Sequence, residues 1–187
     1  MVFVAAVHGI AVAGAAFALG DPGPRYDGRL TPNPLSHLDV LGTLGGVFSA
    51  GWIRPIAIDP AELRTGRVGL VLVVVAGAAA TLASIAALRF VRPYLLPLLP
   101  DTTSALAFAF IETIGELGLW FALVNVLPLP PLTGSHLLVA IAPQWRDRLR
   151  RTQPYAAVLL AVLAVAGVVT RLLGPGYAVL ARTVLGE

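Results

Sequence analysis

The chain alternates long apolar runs with shorter stretches rich in Pro, Gly and Arg. Four runs, 2–19, 68–91, 105–127 and 155–173, approach or exceed the roughly 20 helical residues that a hydrocarbon core requires. The first is short and the last marginal, a mismatch that local bilayer thinning or interfacial Arg side chains absorb at small cost. Residues 20–67 break the pattern. Their density of Pro and Gly forbids a long helix. The Ile56 and Ile58 alternation in GWIRPIAID predicts a half-buried edge strand in a small extended segment on the membrane face. A second irregular stretch, 125–142, reads as a helix broken by Pro128, Pro130 and Pro131, with Gly134 allowing a tight turn before a short second helix. The predicted fold is an all-α polytopic membrane protein of about four transmembrane helices with a small membrane-associated β or extended segment, in one membrane domain over 1–187.

Composition strengthens the membrane reading. Hydrophobic residues make up 57% and charged residues 12% of the chain, against roughly 45–50% and 25% in soluble domains. All 13 basic residues are Arg. Nine of them lie in 20–67 and 128–154 against four elsewhere, which predicts that those two connections are cytoplasmic and the termini outside. The cluster RDRLRR at 146–151 then marks a cytoplasmic membrane face or meets anionic headgroups, and a nucleic-acid surface is set aside. Cysteine is absent, excluding disulfides, thiolate metal sites and a cysteine nucleophile. The N-terminal run has no basic n-region and carries His8, so it reads as a mature span rather than a signal peptide.

Three stretches carry a resemblance. ALGDPGPRYDGRLTPNPLSHLDVLGTL, GWIRPIAIDP and NVLPLPPLTGSHLL follow one another in order. In them the chain resembles, over about residues 7–138, the bacterial site-2 protease family of intramembrane zinc metalloproteases. The resemblance implies a site-2 protease-like core, residence in the bacterial inner membrane, and an HExxH helix whose zinc site is completed by the Asp of a late NxxPxPxxDG motif. Two imidazoles one helical turn apart and a distant carboxylate leave one zinc position for water, and the Glu after the first His takes the water's proton. Matched position by position, His8 stands at the first ligand, Gly9 at the base, Val12 at the second His and Thr133 at the ligand Asp. Gly9 offers no proton acceptor, Val12 no lone pair and Thr133 only a neutral hydroxyl. The resemblance therefore implies a degenerate member with His8 as a vestigial ligand and no catalytic residues. The family's AGPxxN stretch reads AGAAAT at 76–81, without its Pro or Asn. Asn33, Pro34, His37, Asp39, Asn125, Pro128, Pro130, Pro131, Gly134 and His136 match the family as structural motif positions. Only seven residues precede His8, little room for the segment the family often has there, which favours dependence on a neighbour.

Other constellations compete. His8, His37 and His136 are the possible members of a substitute metal site, although their spacing matches no motif, and hydrogen-bonded interfacial histidines are the plainer account. Glu112 and Glu116 stand at i and i+4 inside the third apolar run, where a carboxylate is costly. They read as interface-solvated groups, as a pair awaiting an arginine on another chain, or as a proton or ion conduit. Gly14 with Ala18, Gly77 with Thr81, and Gly115 with Gly118 read as internal helix packing before association. Trp52, Trp120 and Trp145 suit interfacial anchoring.

The expectation is a non-catalytic membrane protein without a metal cofactor that binds or packs against another integral membrane protein, as an accessory subunit of a complex, in contact with lipid. Its partner-binding residues are expected to be Trp52, Ile53, Arg54, Ile56 and Ile58, by strand addition, together with Glu112 and Glu116. The alternatives are an active intramembrane protease with a rearranged zinc site and the glutamate conduit.

Overall fold

The computed structural model describes residues 1–186, which form eight α-helices joined by irregular connections and short 3-10 turns. They are α1 (Val2–Ala18), α2 (Gly23–Tyr26), α3 (Val40–Val47), α4 (Arg67–Leu95), α5 (Asp101–Asn125), α6 (Ser135–Ile141), α7 (Arg146–Val165) and α8 (Val168–Val184). Two helices are long and apolar enough to cross a membrane: α4, continued by the 3-10 turn Leu96–Leu98, and α5. At 1.5 Å per residue the first extends about 48 Å and α5 about 38 Å, both beyond a ~30 Å hydrocarbon core. Less than half of the apolar stretch of each is buried inside the protein, so the remainder is free to face lipid. The 17 residues of α1 extend only about 26 Å.

The four spans expected from hydropathy thus reduce to two, or three if α7 and α8 count as one broken span. The run expected at 155–173 is not one helix, because α7 and α8 diverge by 76° around Gly167. Gly167 adopts φ +71°, a left-handed conformation open to a residue without Cβ. The amides of Ala166 and Gly167 close the last turn on the Val162 and Ala164 carbonyls, each at 2.9 Å. Apolarity runs straight through this break, which is why periodicity did not show it.

The expected β segment is also corrected. There is no strand among the described residues, and the sheet reduces to a single antiparallel bridge between Leu38 and Ile53. Residues 20–67 instead build short helices with local starts. Asn33 Oδ1 accepts from the Leu35 amide at 3.1 Å ahead of Pro34, and Asp39 Oδ1 accepts from the Gly42 amide at 2.8 Å to cap α3. The side-chain alternation does occur: Ile53, Ile56 and Ile58 are buried, while Arg54 and Ala57 are exposed. What holds this segment is a buried arginine rather than a neighbouring strand. The Arg29 guanidinium donates to the carbonyls of Ser36, Arg54 (3.4 Å) and Pro55 (3.2 Å).

The main core joins Val4, Val12 and Ala16 of α1 to Leu70 and Val73 of α4, Ile114 and Phe121 of α5, and Ile56 and Ile58. Close backbone approach makes this possible. A Cβ on Gly77 would lie 2.7 Å from Val12 Cγ2, and one on Gly118 2.6 Å from Ile85 Cδ1, so both small residues serve internal packing. Lipid removes much of the hydrophobic drive between helices, and van der Waals fit of this kind carries the association. At the other end of α4, Glu112 is paired with Arg89 at 2.8 Å and with Arg92, and Arg89 also donates to the Leu185 carbonyl at 2.6 Å. The arginines that pair with Glu112 are thus on its own chain. Glu116, one turn further along, is exposed.

Candidate functional site

α1 carries His8 into the core, where it is 1% exposed. Its Nδ1 lies 3.2 Å from Thr81 Oγ1 on α4, and its Nε2 lies 3.0 Å from Thr133 Oγ1 in the break after α5. The Thr81 hydroxyl donates to the Gly77 carbonyl at 2.9 Å, so its oxygen is left to accept from Nδ1–H. Nε2 then accepts the Thr133 proton. The chain Thr133, His8, Thr81, Gly77 thus satisfies both ring nitrogens with a neutral imidazole, and Phe121 meets the ring edge-on at 5.1 Å. In the sequence Thr81 stands out as a departure from a motif and as a small-residue partner of Gly77; its contact with a residue 73 positions away is a tertiary fact.

This geometry tests whether the residues present fit a zinc ion. The Nε2 lone pair that would coordinate metal is engaged by a hydroxyl proton, and Thr133 is a weak ligand compared with a carboxylate. Val12 is buried one turn after His8 and offers only methyl groups. No group of three His, Cys, Asp or Glu able to hold a metal occurs among the described residues. The three histidines are not brought together as a substitute site. The donor set does not fit zinc.

The space beside Gly9 is filled. A Cβ built on Gly9 would overlap the His37 imidazole, so the absent side chain at Gly9 is what admits this ring. His37 is fully buried; its Nε2 donates to the Thr31 carbonyl at 3.0 Å, and its Nδ1 has no partner. A longer side chain at Gly9 and the His37 ring exclude one another.

The break after α5 is positioned by Asn125, whose Nδ2 donates to the carbonyls of Phe121 and Gly51, each at 2.9 Å. The Gly134 amide donates back to the Asn125 carbonyl at 2.7 Å, which folds the Pro128, Pro130 and Pro131 loop and delivers Thr133 to His8. Gly134 has an ordinary φ of −59°, so the turn needs no unusual backbone freedom. Glycine is required because a Cβ would overlap the Val126 and Leu127 carbonyls.

Beside this site lies a cavity of about 360 Å³, walled by residues 53–58, the loop 130–136 and the start of α7, with Val12 and Thr133 among its lining. Of the expected partner-binding side chains, Trp52, Ile53, Ile56 and Ile58 are at most 5% exposed, whereas Arg54 presents its side chain outward. Trp52 is therefore no interfacial anchor. The amides of Ile56, Ala57 and Ile58 make no hydrogen bond among the described residues. What residues 53–58 can offer a partner is backbone, not apolar side chains. His136 keeps part of its surface on the cavity but is packed densely enough that burial lowers its pKa to about 4, with the Ile56 carbonyl opposing the shift and Arg146 adding to it.

The chain is 33% identical over 168 residues to a Bacillus subtilis (strain 168) protein described as "Putative zinc metalloprotease YwhC", an alignment spanning 85% of this chain and 75% of that protein. No family model matches the chain, and no solved structure matches it.

Proposed function

The chain belongs to the family of the Bacillus subtilis protein described as putative zinc metalloprotease YwhC, and on that premise we propose that it is a degenerate, site-2 protease-like protein of the bacterial inner membrane that holds a segment of another membrane protein without cleaving it. The observation that carries this reading is the His8 lone pair, engaged by Thr133 where a metal would bind. With Gly9 in place of a base and His37 in its space, neither the nucleophile-generating metal nor the proton acceptor of a metalloprotease has its ligands. The bordering cavity and the three unpartnered amides support retention of a binding groove after loss of the chemistry. Such a protein serves as an accessory subunit whose partner threads an extended segment past residues 53–58.

The name of the relative favours a second reading, an active metalloprotease that assembles a zinc site by rearrangement around His8. One experiment separates the two: metal content and co-purifying chains of protein extracted gently from its own membrane. The binding reading expects zinc far below one per chain, unchanged by His8→Ala, and a partner at fixed ratio. Ala57→Pro, which removes an unpartnered amide and restricts the backbone of Ile56, should release that partner, while Ala57→Ser retains it. One zinc per chain, lost in His8→Ala, would instead establish the protease reading. A glutamate conduit finds no support, since Glu112 is neutralised by Arg89 and Arg92 and Glu116 is exposed.

A further inference from the structure

The cavity beside Thr133 has a one-sided charge. Arg54, Arg146 and Arg150 line it, and no Asp or Glu does. Arg146 is paired with Asp59 at 3.0 Å, but the side chains of Arg54 and Arg150 are exposed and carry no hydrogen bond or ion pair. Arg29 stands close enough to Arg54 to repel it, while Asp27 offsets part of the Arg29 charge from the other side. The same cavity is bordered by Ile56, Ala57 and Ile58 with their free amides. Guanidinium forks match carboxylates in a bidentate manner, and free amides match main-chain carbonyls.

Resting on the groove-binding reading above, we propose that the occupant of this cavity is an extended peptide segment bearing an acidic side chain, its carbonyls meeting the amides of Ile56 and Ile58, which share one edge of the extended stretch, and its carboxylate meeting Arg54 and Arg150. A lipid headgroup would satisfy the arginines but leave the amides unused, and would have no reason to reach inward to Val12 and Thr133. The peptide accounts for both sets of donors. Specificity for such a segment comes from its charge, because Ile53, Ile56 and Ile58 are turned into the core.

The test uses the full chain in phosphatidylcholine nanodiscs and two fluorescent peptides of alternating Val and Ser, identical except for a central Glu or Gln. Anisotropy should show the Glu peptide binding about tenfold more tightly than the Gln peptide, as expected for one charge-assisted pair. In an Arg54→Gln/Arg150→Gln variant that advantage should vanish while the affinity for the Gln peptide stays the same; both positions are exposed, and an unchanged melting temperature verifies the fold. Equal binding of the two peptides to the original chain overturns the acidic preference and leaves the groove reading standing. Binding of neither overturns both. If the double variant still prefers the Glu peptide but loses retained phosphatidylglycerol in native mass spectrometry, the arginines serve headgroups and the proposal falls.

Discussion

The chemistry open to His8 is set by what faces its ring. A metal ligand and a hydrogen-bonded core histidine need the same position and differ only in what faces the ring. Here two threonines face it, from 73 residues and 125 residues away along the chain. Removing one hydroxyl leaves a buried nitrogen unsatisfied, which costs about 1–3 kcal/mol. Thr133→Val should therefore lower the melting temperature clearly, whereas Thr133→Ser, which keeps the donor, should remain near the original value. Equal melting of the two variants in thermal unfolding would refute the hydrogen-bond chain. His8, Gly9, Val12 and Thr133 drew notice in the sequence only through the family resemblance, which supplied the positions to compare. The Thr81 contact and the His37 ring against Gly9 were not legible, because neither contact has a local signal: one joins two helices and the other places a loop side chain in a helix groove.

At the scale of elements, the irregular stretches departed furthest from expectation. The proline break after α5 was legible because proline forbids the helix outright. The break at Gly167 was not, since a single glycine within an apolar run is compatible with a continuous span. Its left-handed φ makes it testable. A side chain there costs roughly 1–2 kcal/mol, so Gly167→Val should destabilise the bend or open it. Spin labels at exposed Val158 and Val179 would then report a longer or broader distance distribution. An unchanged distribution with unchanged stability would mean that flanking packing, not the glycine, sets the 76° angle. Residues 53–58 teach a related lesson. Alternation predicted which side chains are buried and did so correctly, but strand status requires a neighbouring strand, and Arg29 holds that place instead.

Across the whole molecule, the arginine-rich connections meet. Residues 53–58 and 130–153, both assigned to one membrane face by their Arg content, converge on a single cavity beside His136 and Thr133. The far end of α4 is closed by Arg89, Arg92 and Glu112, which tie α4 to α5 and, through the Leu185 carbonyl, to the end of α8. Glu112→Gln should loosen all three elements and speed proteolysis within α8. Glu116→Gln, at an exposed site one turn away, should leave the digestion pattern unchanged. If the two variants digest alike, the cluster contributes no tertiary hold.

The sequence by itself determined the long apolar helices, the proline break after α5 and which functional groups stand at His8, Gly9, Val12 and Thr133. These depend on composition, on backbone sterics and on which functional groups a side chain owns. Tertiary structure alone decided what engages the His8 ring, which arginines are bonded and which are free, and how many helices are straight enough to span. Those outcomes are set by contacts between residues far apart in the chain, whose partners no local pattern names.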